Sequence, residues 1–121
     1  MDRVAFIQHK GKSILVVDLS NSRNIEENKT ILNKAKDTVE TQAPQSLLLL
    51  TNVANAHYDP EGAEALKKYS AFVTPYVKHR AVVGITGIKR ILYQAVLKLT
   101  GKHIQSCETV DEALDWLAAQ K

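Results

Sequence analysis

The residues best equipped for chemistry sit in one short segment, NVANAHYDPEG, from Asn52 to Gly62. Asn52 and Asn55 carry amides that can donate and accept, while Asp59 and Glu61 present negative charge. His57 is the histidine to test as a general acid or base, and Tyr58 beside it adds a phenol. The segment holds no nucleophile paired with a base, so its residue types point to recognition rather than turnover. Gly62 closes it at what reads as the opening of a helix.

A second group is Gly84-Ile85-Thr86-Gly87, followed by Lys89 and Arg90. Glycines let a backbone approach a ligand, helix amides supply donors, and two cations can reach an anion, so phosphate binding is one reading. The other is a plain strand-to-helix turn with solvated basic residues. The segment does not end in Gly-Lys-Ser/Thr and lacks G-x-G-x-x-G, so neither common nucleotide fingerprint is met. His9, His57, His79 and His103 are scattered, with no two at ligand spacing on one element, and no metal or cofactor is expected. Cys107 is the single cysteine; it cannot form an internal disulfide and reads as a small, partly buried residue. Ser20, Asn21 and Ser22 have the types of a loop and helix cap, at a position able to share a sheet end with the first group.

The elements that must position these residues alternate between strand and helix periods. Val4, Phe6 and Ile14–Leu19 flank Lys10-Gly11-Lys12 as a tight antiparallel hairpin. Residues 24–41 place Ile25, Leu32, Ala35 and Val39 on one helical stripe, stopped by Pro44. Residues 46–53 are nearly all leucine, as in a parallel strand covered on both faces, which requires helices on both sides of the sheet or a dimer over one face. Asp59-Pro60 has the chemistry of a helix start, since aspartate caps free amides and proline suits the first helical position. That helix runs to Pro75. A β-branched strand is expected over Ala81–Ile85, a third helix over Ile88–Leu99, a short strand over His103–Glu108 and a last helix over Val110–Gln120 opened by a Thr109/Glu112 capping box. Trp116, with Ala113 and Leu117, is expected to dock that helix. Tyr69, Phe72, Val73, Tyr76 and Val77 read either as core or as a contact groove.

The expected fold is therefore a single α/β domain over residues 1–121, with one mixed, mostly parallel sheet in the order ββαβαβαβα and flanking helices. The 121 residues are 45% hydrophobic and 24% charged, the balance of a globular chain. No apolar run approaches the length of a membrane span, and the N-terminus enters a strand pattern, so a cytoplasmic protein is expected. A net charge of +3 without a basic run gives no reason to expect nucleic acid as a partner.

This order, with the segments GKSILVVDLS, LLLLTNV before DPEGAEAL, AVVGITGIKRIL and TVDEALDWL, resembles the STAS domain family in its SpoIIAA-like branch over nearly the whole chain. The resemblance implies regulation by protein contact, nucleotide sensing or small-molecule binding rather than catalysis. Antagonists of anti-sigma factors in that family carry an Asp-Ser-Ser-Gly turn whose serine is phosphorylated. The matching positions here read Asp59-Pro60-Glu61-Gly62, so both serines are missing. Glu61 stands either as a fixed phosphate mimic or as a favourable first-turn carboxylate. The expected function is a noncatalytic regulatory module that contacts a protein partner, or a second copy of itself, around residues 52–62. The alternative is a carrier for a small apolar or phosphorylated ligand, a lipid or a nucleotide, held between the Leu-rich strand and Ile88, Ile91 and Leu92.

Overall fold

The computed structural model describes residues 3–57, 59–85 and 104–120. Strands β1 (Val4–His9) and β2 (Lys12–Asp18) form an antiparallel hairpin in unbroken register, Val4 opposite Val17 through His9 opposite Lys12. Its two-residue turn, Lys10 and Gly11, has positive φ at both positions (51° and 82°), the geometry that matches the twist of the paired strands. Helix α1 (Ile25–Val39) follows, then β3 (Leu47–Asn52), α2 (Pro60–Val73), a 3₁₀ turn (Thr74–Tyr76), β4 (Val77–Val83), β5 (Gln105–Cys107) and α3 (Val110–Ala118). The sheet runs in chain order β1-β2-β3-β4-β5, and β2 to β5 are mutually parallel. The molecule is thus α/β with one mixed five-stranded sheet and three helices among the described residues. The helix expected over Ile88–Leu99 lies outside them.

Both faces of the sheet are covered. Ile31, Leu32, Ala35 and Val39 of α1 and Tyr69 and Val73 of α2 pack with Leu15, Val17, Leu47 and Leu49 on one face. Ala113, Leu114 and Leu117 of α3 pack with Ile14, Leu48, Leu50, Ala81 and Val83 on the other. Alternate side chains of a strand point to opposite faces, so the unbroken leucines of β3 serve both layers, and Leu47 to Thr51 are all buried.

The largest boundary difference from the sequence expectation is in β4. Strand β4 begins at Val77 and ends at Val83, displaced toward the N-terminus from Ala81–Ile85. The 3₁₀ turn at Thr74-Pro75-Tyr76 leads straight into the sheet, and β4 admits a charged residue, Arg80, that hides the strand pattern. Trp116 is half-buried and packs against the α3-side core, edge-on to His79 with ring centroids 6.2 Å apart, while Ala113, Leu114 and Leu117 are buried within it. The aromatic segment divides likewise. Tyr69, Val73 and Val77 are core, while Phe72 and Tyr76 stack at its margin with centroids 6.2 Å apart.

Arg80 is 4% exposed, and no carboxylate pairs with it among the described residues. Its guanidinium donates to Ser70 Oγ at 2.8 Å, to the Ser70 carbonyl at 3.4 Å and to Thr74 Oγ1 at 2.5 Å. Helix α2 has no basic residue in its last turn, so Arg80 supplies from the sheet the positive charge that a helix C-terminus favours. Nearby, burial pushes the Tyr69 phenol up to about 12, against the opposing effects of its Thr51 partner and of Arg80.

Gly84 leaves β4 with φ of 89°, and a Cβ built there would lie 2.5 Å from the Ala54 Cα. Gly11 has a similar φ of 82° but open space around it. Gly84→Ala is expected to cost about 2–4 kcal/mol from combined strain and clash, and Gly11→Ala about 1 kcal/mol from strain alone. Urea unfolding of the two variants beside the parent checks that difference; equal losses would show that the approach to Ala54 is not tight.

Candidate functional site

The site lies at the carboxyl ends of β2, β3 and β4. Asp18 and Asn52 are register partners at the ends of adjacent strands. Each bends its following loop in the same way: Asp18 Oδ1 accepts from the Ser20 N–H at 2.9 Å, and Asn52 Oδ1 accepts from the Ala54 N–H at 3.0 Å. A turn follows in both loops, closed by Ser22 N–H to Leu19 O at 3.2 Å and by Ala56 N–H to Val53 O at 3.1 Å. Asn21 and Asn55 occupy the left-handed position of these turns, with φ of 58° and 56°. Asparagine tolerates that conformation better than most residues. Both loops then reach a helix cap. Asn24 Oδ1 accepts from the Glu27 N–H at 2.9 Å, and Asp59 Oδ1 accepts from the Gly62 N–H at 2.6 Å.

The two turn-and-cap units are tied side by side. The Leu19 N–H donates to Asn52 O at 2.8 Å, the Asn21 N–H to Ala54 O at 3.0 Å, and the Val53 N–H to Val83 O at 2.8 Å. Parallel pairing therefore continues past the regular strands. Arg3 braces the first loop by donating to the Ser20 carbonyl at 2.7 Å, and lies 3.7 Å from Asp18 and 3.6 Å from Glu27.

His57 is clamped at three points. Its backbone N–H donates to Ser22 Oγ at 2.8 Å, its carbonyl accepts from Asn28 Nδ2 at 3.1 Å, and its ring Nε2 lies 2.9 Å from Asp59 Oδ2. Asp59 thus uses one oxygen on the helix and the other on the imidazole. The Gly62 N–H, and after it the His57 ring, holds the Asp59 carboxyl below its ordinary value of 3.8. Glu61 pairs with Lys29 of α1, which raises the Lys29 ammonium above its ordinary range. Gly62 is buried, and a Cβ there would meet Asp59 Oδ1 at 3.1 Å and the Asn28 Nδ2 and Ile25 Cδ1 atoms at 3.7 Å. The tight contact is with the Asp59 cap of the same helix, while Asn28 and Ile25 of α1 stand at ordinary packing distance.

Asn52, Asn55, His57, Asp59, Glu61 and Gly62 are thus brought together, while Tyr58 lies outside the described residues. Asn55 and Glu61 are exposed, and His57 is half-buried. Asn52 and Asp59 direct oxygens inward as braces, so the groups left facing outward are Asn55, the His57 ring edge and the Lys29–Glu61 pair. Of the second group, Gly84 packs on Ala54 beside this loop; Thr86, Gly87, Lys89 and Arg90 lie outside the described residues. No metal-binding cluster of histidine, cysteine and carboxylates occurs among the described residues. Cys107 is buried on the α3 side, and burial followed by Glu112 pushes its thiol up.

Sequence reasoning passed over Asn28 and Lys29. Asn28 sits on the apolar stripe of α1, is 4% exposed, and leaves its Oδ1 without a hydrogen-bond partner. A polar residue on a buried stripe is the signal that marks such a position. Lys29 carries no local signal, because its partner is 32 residues away.

No family model, no curated protein and no solved structure matches the chain. No helix among the described residues is long and apolar enough to cross a membrane.

A carboxyl held below its ordinary pKa stabilises the fold above the unfolded value near 3.8 and loses that contribution as pH falls through the lowered one. Asp59→Ala is expected to be less stable than the parent at neutral pH, with the gap narrowing in acid, whereas Asp59→Asn retains the cap. Urea midpoints measured from neutral to strongly acidic pH check this; a gap independent of pH would mean that the charge contributes nothing.

Proposed function

We propose that this chain is a noncatalytic, cytoplasmic STAS-like regulatory module that binds a protein partner through the rim formed by residues 52–62. The observation that carries the reading is the three-point clamp on His57. It ties the backbone and ring of His57 to both neighbouring units before any partner arrives, so less ordering entropy remains to oppose binding. The outward groups are an amide, an imidazole edge and an ion pair, the polar types that surround the buried centre of protein contacts. The rim continues into a surface cleft of about 270 Å³ between α1 and α2, lined by Leu32 and Ala65 beneath Lys36, Glu64 and Lys68. A segment of a partner lying in that cleft would meet charge of both signs at its edges.

The STAS resemblance supports the same assignment. In this reading Glu61 supplies a permanent negative charge where the family's antagonists acquire one by phosphorylation, and Lys29 holds it in place. The small-molecule alternative draws less support, since Leu47–Leu50 are consumed by the two core layers.

Because Asp59 braces the loop from within, the clean probes are the outward residues. Glu61→Lys combined with Asn55→Asp, which keeps a residue that tolerates the left-handed turn, is expected to weaken capture of a partner by about tenfold or more, with the circular dichroism spectrum unchanged. Affinity capture from lysate of the native organism, followed by titration of the recovered partner, measures it. Unchanged affinity in a folded double variant would reject this surface, and a small molecule found by native mass spectrometry of the untreated protein would favour the carrier.

A further inference from the structure

The edge of the sheet opposite β5 carries a feature that the loop site does not use. Among the described residues β1 has one strand neighbour, β2, so its outer row of backbone groups lacks a strand partner, with Phe6 and Gln8 exposed and Val4 buried. The Asp18 N–H donates to the Arg3 carbonyl at 2.7 Å, which fixes the phase of the ladder. Arg3, Ala5, Ile7 and His9 therefore direct their backbone groups at β2, and Val4, Phe6 and Gln8 direct theirs outward. Proteins commonly blunt such an edge with proline, charge or a bulge. β1 reads VAFIQH, has no proline or Lys, Arg, Asp or Glu, and pairs in unbroken register. At its centre Phe6 is 41% exposed and is the one exposed large hydrophobic side chain among the described residues.

We infer that β1 is a self-association edge, and that it pairs antiparallel with β1 of a second copy about a two-fold axis at Phe6. That axis sets Phe6 against its own copy and Val4 against Gln8, and every outward-facing backbone group then meets a partner. The arrangement forms on the order of six backbone hydrogen bonds and joins the two sheets into one. The two Phe6 rings come side by side as a cross-strand aromatic pair.

The flanking charges do not oppose a second copy. The pairing brings Arg3 opposite His9 and the neighbouring Lys10, and each is already matched within its own protomer. Arg3 is near Asp18 (3.7 Å) and Glu27 (3.6 Å), and Asp115 lies 2.7 Å from His9 and 3.0 Å from Lys10. No uncompensated like charges meet. Size sets the strength: six strand residues span about 20 Å, and one such edge buries well under the roughly 1,600 Å² of a standard interface. The dimer is accordingly a weak, reversible one.

Sedimentation equilibrium of the full chain from micromolar to millimolar concentration tests this. The expected result is a monomer–dimer equilibrium that both Phe6→Lys and Gln8→Pro weaken by about tenfold or more; the proline removes an N–H that points away from β2. Circular dichroism establishes that each variant is folded, and if Phe6→Lys is not, Gln8→Pro carries the test. Cysteine cross-linking reads the register, since Cys107 is buried. Phe6→Cys should form a disulfide dimer readily and Gln8→Cys should not. A monomer throughout the concentration range overturns the inference, as does a dimer that a folded Gln8→Pro variant leaves intact.

Discussion

The constraint on which the rest of this structure depends is that backbone groups at the ends of buried parallel strands need partners. Here β2, β3 and β4 meet it by extending their pairing into the loops beyond them, from Leu19 to Asn52, Asn21 to Ala54 and Val53 to Val83. Once those bonds are made, the two turns must lie side by side and their helices must start side by side. The close approach of Gly84 to Ala54 and the position of His57 follow. The described residues of the loop are placed by bonds that continue the sheet.

Polar groups inside the molecule hold the helices to this frame. Arg80 carries charge from β4 to the carboxyl end of α2, and Asp59 sets a carboxylate at the other end, so the α2 dipole is matched at both termini. On the opposite face, α3 is tied to the hairpin by His9, Lys10 and Lys12, the last donating to the Gln120 carbonyl at 3.3 Å. Its cap is a variant of the expected box. Thr109 Oγ1 accepts from the Glu112 N–H at 3.1 Å, while Glu112 reaches the Glu108 N–H at 3.4 Å rather than that of Thr109.

The molecule thus presents two surfaces of different character. The rim at residues 52–62 is polar and braced from behind, and it is the surface proposed for a partner. The β1 edge is backbone and aromatic, and it suits a strand. They are separate in the sheet, since the rim is at the carboxyl ends of β2 to β4 and Phe6 lies midway along the outer strand.

How far the sequence could be read depended on how local each signal was. The hairpin, the buried leucine strand, the Asp59-Pro60 helix start and the amphipathic stripes are set by residues within a few positions of one another. Periodicity and capping chemistry therefore determined them without reference to the fold. The start of β4 was concealed by Arg80, whose burial is permitted only by Ser70 and Thr74 on another element. Likewise, nothing near Asn28 or Lys29 in sequence predicts that they hold His57 and Glu61. The sequence by itself determined the kinds and order of the described elements and the loop that carries polar chemistry. Only the tertiary structure decided which of those polar groups face inward as braces and which remain outward, because that depends on backbone partners brought together from strands and helices tens of residues apart.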